Sequence, residues 1–87
     1  MADAQASAEQ AARSSYGKLL ASLSATTRDI AAAEEALAEA FARALEHWPD
    51  RGVPESPEAW LLTTARNVLR DRFKRAADRT ATSIETD

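Results

Sequence analysis

The sequence predicts an all-α fold, a three-helix bundle, and three observations carry that prediction. Alanine dominates the apolar residues, glycine occurs only twice and β-branched residues are sparse, a composition that favours helix over sheet. Three stretches repeat their apolar residues with the 3.6-residue period of one helix face. Between them stand residues that cap and break helices. The approximate helices are 9–25, 28–48 and 57–78, and no strand is expected.

Helix one rests on Ala12, Tyr16, Leu19, Leu20 and Leu23, spaced i, i+4, i+7, i+8 and i+11. Thr26, Thr27 and Asp29 then supply a capping and acidic first-turn signal. Helix two carries a longer stripe, Ile30, Ala33, Leu37, Phe41, Ala44, Leu45 and Trp48. Glu34, Glu35, Glu39, Arg43 and Glu46 fill its remaining surface. Pro49 is expected to end it, because proline has no N–H to continue the ladder, and Pro49-Asp50-Arg51-Gly52 has turn chemistry. The connection runs to Glu55. Ser56, Pro57 and Glu58 form an N-cap, an N1 proline and an acidic second position, from which helix three presents Trp60, Leu61, Ala65, Val68, Leu69 and Phe73 to a core.

A chain of 87 residues makes one domain, and a domain of that size buries only about 60% of its unfolded surface. The five aromatics, Tyr16, Phe41, Trp48, Trp60 and Phe73, are therefore the expected core. Residues 1–8 read as a flexible N-terminus, 9–79 as the folded domain, and 80–87 as a linker or disordered tail that would lead into further chain. No cysteine is present, which removes disulfides and thiolate metal sites and points to a reducing compartment, the cytoplasm. Neither a signal peptide nor a membrane span is expected from this sequence.

The net charge of −3 conceals an arrangement. Residues 1–65 hold five basic and ten acidic side chains, 66–79 six and two, and 80–87 none and two, or −5, +4 and −2. A basic helix end on an acidic body suggests two different partners.

Signals for catalysis are nearly absent. His47 is the sole histidine, with no accompanying nucleophile or carboxylate at a telling spacing, and reads as a solvated or capping residue. Glu35 and Glu39, four apart, could be half of a bundle metal site, but the Glu-x-x-His partners such sites need do not occur. Two isolated glycines make no phosphate loop. No catalytic residue, metal or cofactor is expected. Helix three is more informative. Opposite its core stripe lie Thr63, Arg66, Asn67, Arg70, Lys74 and, slightly rotated, Arg75. Cations give affinity for phosphates and an asparagine can read a base edge, although a basic helix end is also favoured by the macrodipole alone.

Together, the acidic segment Glu34-Glu35 to Trp48-Pro49, the proline-bearing loop and the stretch Trp60-Leu-Leu-Thr-Thr-Ala-Arg66-Asn67 through Arg75 resemble region 2 of bacterial extracytoplasmic-function sigma factors. The resemblance covers roughly residues 12–78. It implies a three-helix domain that binds core RNA polymerase and helps to recognise and melt the promoter minus-ten element. It maps contact with the clamp helices of the largest polymerase subunit onto Glu34, Glu35 and Glu39, and contact with the non-template strand onto Trp60, Thr63, Arg66, Asn67, Arg70, Lys74 and Arg75. Where the family commonly has an aspartate and, three residues on, a glutamine, this chain has Glu35 and Ala38. The family's second helical domain, which reads the minus-thirty-five element, has no counterpart in the sequence. An anti-sigma factor is a further implied partner. A sigma-like decoy that engages such a partner without touching DNA is the alternative, against which Asn67 and the basic face argue.

Overall fold

The computed structural model describes residues 4–86. Three helices, α1 (Ala4–Thr27), α2 (Ile30–Arg51) and α3 (Pro57–Thr86), pack pairwise against one another in the expected all-α bundle, with no strand among the described residues.

The short α1–α2 turn is set by local chemistry. The Arg28 N–H donates to the Ser24 carbonyl at 2.6 Å with φ of 57°, closing α1 in the left-handed region. Asp29 then caps α2, its Oδ1 accepting from the Ala32 N–H at 3.1 Å. At the other end α2 runs through Pro49 to Arg51 instead of stopping at Trp48. Proline there removes one bond to the Leu45 carbonyl in the last turn. The Gly52 N–H restores closure by donating to the Trp48 carbonyl at 2.8 Å. Gly52 has φ of 91° and ψ of 154°, a conformation essentially restricted to glycine. Ser56 caps α3, its hydroxyl accepting from the Ala59 N–H at 3.4 Å.

The core differs from the expected cluster of aromatics. Ala33, Ala36, Leu37, Ala40 and Ala44 of α2 are fully buried, against Ala8, Ala11, Leu19 and Leu23 of α1 and Leu61, Ala65, Val68 and Leu69 of α3. Of the five aromatics only Trp48 is buried. Tyr16, Phe41 and Trp60 are half-buried, and Phe73 is 62% exposed. An alanine seam draws the helix axes together, so large rings fit at the rims rather than between the backbones. Tyr16 and Phe41 stack at the α1–α2 rim with centroids 6.4 Å apart. Ile30 and Leu45, assigned to the α2 stripe, are exposed as well, the first at the turn and the second on the outer face. On α1 the buried stripe is Ala8, Ala11, Ser15, Leu19 and Leu23, with Ala12, Tyr16 and Leu20 beside it.

Helix ends also extend past the expected ones. α1 begins at Ala4, while residues 1–3 of the expected flexible segment, like Asp87 of the expected tail, lie outside the described residues. α3 continues to Thr86 because no glycine or proline interrupts it after Pro57. Every side chain from Asp71 to Asp78 is exposed, so this end of α3 outruns the bundle.

A partly exposed polar tether links α3 to α1. The Ser15 hydroxyl donates to Glu58 Oε2 at 2.7 Å, and this bond, with the Glu58 backbone N–H and then Lys18 assisting, holds the Glu58 carboxyl below its ordinary 4.5. A carboxyl lowered in the folded state contributes stability above its unfolded value, and that contribution disappears as pH falls through the folded one. Urea unfolding of Ser15→Ala against the parent should therefore show a deficit at neutral pH that narrows as pH drops below about 4.5. A constant deficit from pH 7 to pH 3 would contradict the tether.

The alanine seam makes a second prediction. Ala40→Leu should cost about 1–3 kcal/mol by overpacking. Ala38→Leu, on the exposed side of the same helix, should stay within about 0.5 kcal/mol. Thermal unfolding followed by circular dichroism distinguishes them, and equal costs would mean that the helices are not closely apposed at Ala40.

Candidate nucleic-acid interface

Burying Leu61, Ala65, Val68 and Leu69 fixes which side of α3 faces outward. Thr63, Asn67, Arg70 and Lys74, spaced i, i+4, i+7 and i+11, form one exposed stripe, with Arg66 exposed alongside. Arg75 is exposed too, but it follows Lys74 and stands about 100° further round the helix rather than slightly rotated.

Trp60 lies at the start of this helix and is half-buried, its ring edge-to-face with Trp48 at a centroid distance of 5.3 Å and an angle of 67°. The two rings form part of a cleft of about 300 Å³ where the end of α2 meets the first turns of α3. Asn67 and Thr64 line it from α3; Arg43, His47 and Arg51 line it from α2. Two of the residues assigned from the sequence, Trp60 and Asn67, are thus brought to one cleft. Thr63, Arg66, Arg70, Lys74 and Arg75 lie outside it.

Sequence reasoning missed the α2 contribution. Arg43, His47 and Arg51 are spaced i, i+4 and i+8, and the expectation that Pro49 ended the helix hid Arg51. The Arg43 guanidinium is ion-paired with Glu39 one turn earlier. The indole Nε1 of Trp48, in the cleft wall, has no hydrogen-bond partner among the described residues.

The acidic residues of α2 occupy three different situations. Glu34 is exposed and makes no ion pair among the described residues. Glu35 is exposed and reaches across to α3, where Arg72 Nη1 lies 3.2 Å from its Oε2. Glu39 is half-buried against Arg43, so it borders the basic cleft. A second cavity of about 330 Å³ lies where the α1–α2 turn meets α3, bounded by Asp29, Ala32, Leu69, Arg72 and the exposed Phe73.

Among the described residues no cluster of His, Cys, Asp or Glu could hold a metal ion, and no helix is long and apolar enough to cross a membrane.

The chain matches the family Sigma-70 region 2 over residues 12–79. It is also similar to an uncharacterized protein of Rhizobium meliloti (strain 1021), 44% identical over 54 residues. That stretch is 62% of this chain and 13% of the relative, so the chain corresponds to a small fraction of the longer protein. No solved structure matches it.

Proposed function

Because the chain belongs to the sigma-70 region 2 family, we propose that it acts in transcription initiation as a sigma-factor domain of the extracytoplasmic-function type, binding core RNA polymerase and recognising and melting the promoter minus-ten element. The observation that carries this reading is the union of an exposed cationic stripe with an aromatic, polar cleft on the same helix.

A single strand needs two kinds of contact: cations that follow its phosphates, and aromatic or amide groups that hold its bases once they leave the stack. Arg66, Arg70, Lys74 and Arg75 are the cations. Trp60 offers a ring face or edge to a base. Asn67 carries both a donor and an acceptor at the cleft, so it can tell one base edge from another, while Thr63 supplies a hydroxyl on the adjoining stripe. Arg51 adds positive charge to the cleft lining, beside Arg43 and its partner Glu39, where a base would bring its own phosphate. Melting follows from affinity for the unpaired strand: a surface that binds single strands and not duplex shifts the equilibrium toward opening.

The opposite charge on α2 serves the other partner. Glu34, Glu35 and Glu39 form the face that docks on basic groups of the clamp helices of the largest polymerase subunit. All the roles are binding roles, with no bond made or broken by this domain, and they belong in the cytoplasm with the transcription machinery. An anti-sigma factor would compete for the same surfaces.

Docking is tested most cleanly at Glu34, which has neither a core position nor an ion pair to lose. Glu34→Lys should reduce recovery of core polymerase on the immobilised chain, at a folding cost within about 0.5 kcal/mol. Undiminished recovery would count against α2 as the docking face.

Along α3 the two kinds of contact should separate. Asn67→Ala should blunt discrimination among forked promoter fragments that differ at single minus-ten positions. Lys74→Ala should weaken all fragments alike and reduce the salt slope by about 0.7, the value for one phosphate on a single strand. Both are read by titrating the polymerase–chain complex with labelled fragments at several salt concentrations. Base preferences that survive Asn67→Ala but change in Lys74→Ala would overturn the assignment.

A further inference from the structure

Arg72 stands in the middle of the basic run of α3, yet its position separates it from the other cations. Leu61, Ala65, Val68 and Arg72 are spaced i, i+4, i+7 and i+11, so Arg72 takes the next place on the buried seam after Val68. That puts it on roughly the opposite side of α3 from Thr63, Asn67, Arg70 and Lys74. At this place α2 is still alongside, and Nη1 of Arg72 lies 3.2 Å from Oε2 of Glu35. The guanidinium also borders the cavity shared by Asp29, Ala32, Leu69 and Phe73.

We propose that Arg72 is a positioning residue for polymerase docking: it holds Oε2 of Glu35 and so leaves Oε1 directed outward for a cation of the partner. The inference rests on the reading of α2 as the docking face. A carboxylate has two acceptor oxygens and can serve two donors at once, and a guanidinium bonded to one of them restricts the rotamers of the group. An unheld glutamate loses rotamer freedom when a partner fixes it, so holding it beforehand favours docking. The three acidic residues are not equivalent in this respect. Glu34 is unheld among the described residues, and Glu39 is held by Arg43 of its own helix. Glu35 alone of the three is oriented by α3, which makes the docking face sensitive to the helix that carries the nucleic-acid stripe.

The alternative role for Arg72 is a phosphate contact, and the two differ in what they move. Arg72→Gln, Arg72→Lys and Glu35→Gln are prepared in the full chain, with circular dichroism to confirm unchanged helicity. Affinity for core polymerase is measured by anisotropy of the labelled chain. Binding of the polymerase–chain complex to a single-stranded oligonucleotide is measured across salt concentrations. Arg72→Gln should weaken core binding by up to about fivefold, the upper end for partly exposed charge pairs, with the salt slope for the oligonucleotide unchanged. Arg72→Lys should recover part of the loss, because lysine restores the charge but not the planar fork. The double variant Arg72→Gln, Glu35→Gln should bind no more weakly than Glu35→Gln alone. If Glu35→Gln weakens core binding while Arg72→Gln does not, the positioning role is refuted and the docking reading stands. A salt slope reduced by about 0.7 in Arg72→Gln would make Arg72 a phosphate contact instead. If neither Glu35→Gln nor Glu34→Lys affects core binding, the docking reading and this inference fall together.

Discussion

Ala33, Ala36, Ala40 and Ala44 of α2 have no accessible surface, and the close approach of three helices along that seam decides where every larger group can go. Tyr16 and Phe41 meet at one rim, and Trp48 and Trp60 at the far end, beside the polar corner that Arg43, His47 and Asn67 share. Had the aromatics filled the centre, the helices would stand further apart and Trp60 would be enclosed. The candidate binding cleft is therefore a by-product of small residues elsewhere. It is also why a chain so poor in large apolar residues can exclude water from its interior: alanine contributes little area per residue, but it lets neighbouring backbones cover one another.

Charge is organised along the same geometry. α2 and α3 lie side by side, so an acidic helix and a basic one could neutralise each other and leave neither surface free. Two pairs form between or beside them, Glu39 with Arg43 and Glu35 with Arg72, and each uses a cation that does not belong to the exposed α3 stripe. Thr63, Arg66, Asn67, Arg70 and Lys74 remain directed at solvent. The separation of signs survives folding because one pair lies within α2 and the other uses Arg72, which faces away from the exposed α3 stripe.

The architecture was legible because it rests on local chemistry. Ser56-Pro57-Glu58 marks the start of α3, the Asp29 cap marks α2, and the period of Leu61, Ala65 and Val68 determines which face of α3 turns outward. The choice of core residues was less legible, since periodicity indicates a face but not how far a neighbour extends along it. Phe73 obeys the period and is exposed because the bundle ends before it. Ile30 lies at a turn that no helix covers. Arg51 was missed for a different reason, an over-strict rule: Pro49 was expected to stop α2, when in the last turn it removes only one bond. The roles given to Glu34, Glu35, Glu39 and the α3 stripe rest on the resemblance, since charge and exposure alone do not name a partner.

The exposed end of α3 has a mechanical consequence. Arg66, Arg70 and Lys74 follow one another at four-residue intervals, so neighbouring like charges oppose helix formation by about 0.2–0.5 kcal/mol per pair. Every side chain from Asp71 to Asp78 is exposed, so packing does little to offset that strain. A polyanion laid along the row removes the repulsion, so binding and stiffening of this segment reinforce each other. Dissolved ions also relieve the repulsion, while competing for the polyanion. The helix end is thus a spring tensioned by its own charge, softest in dilute buffer and straightened by the strand it grips.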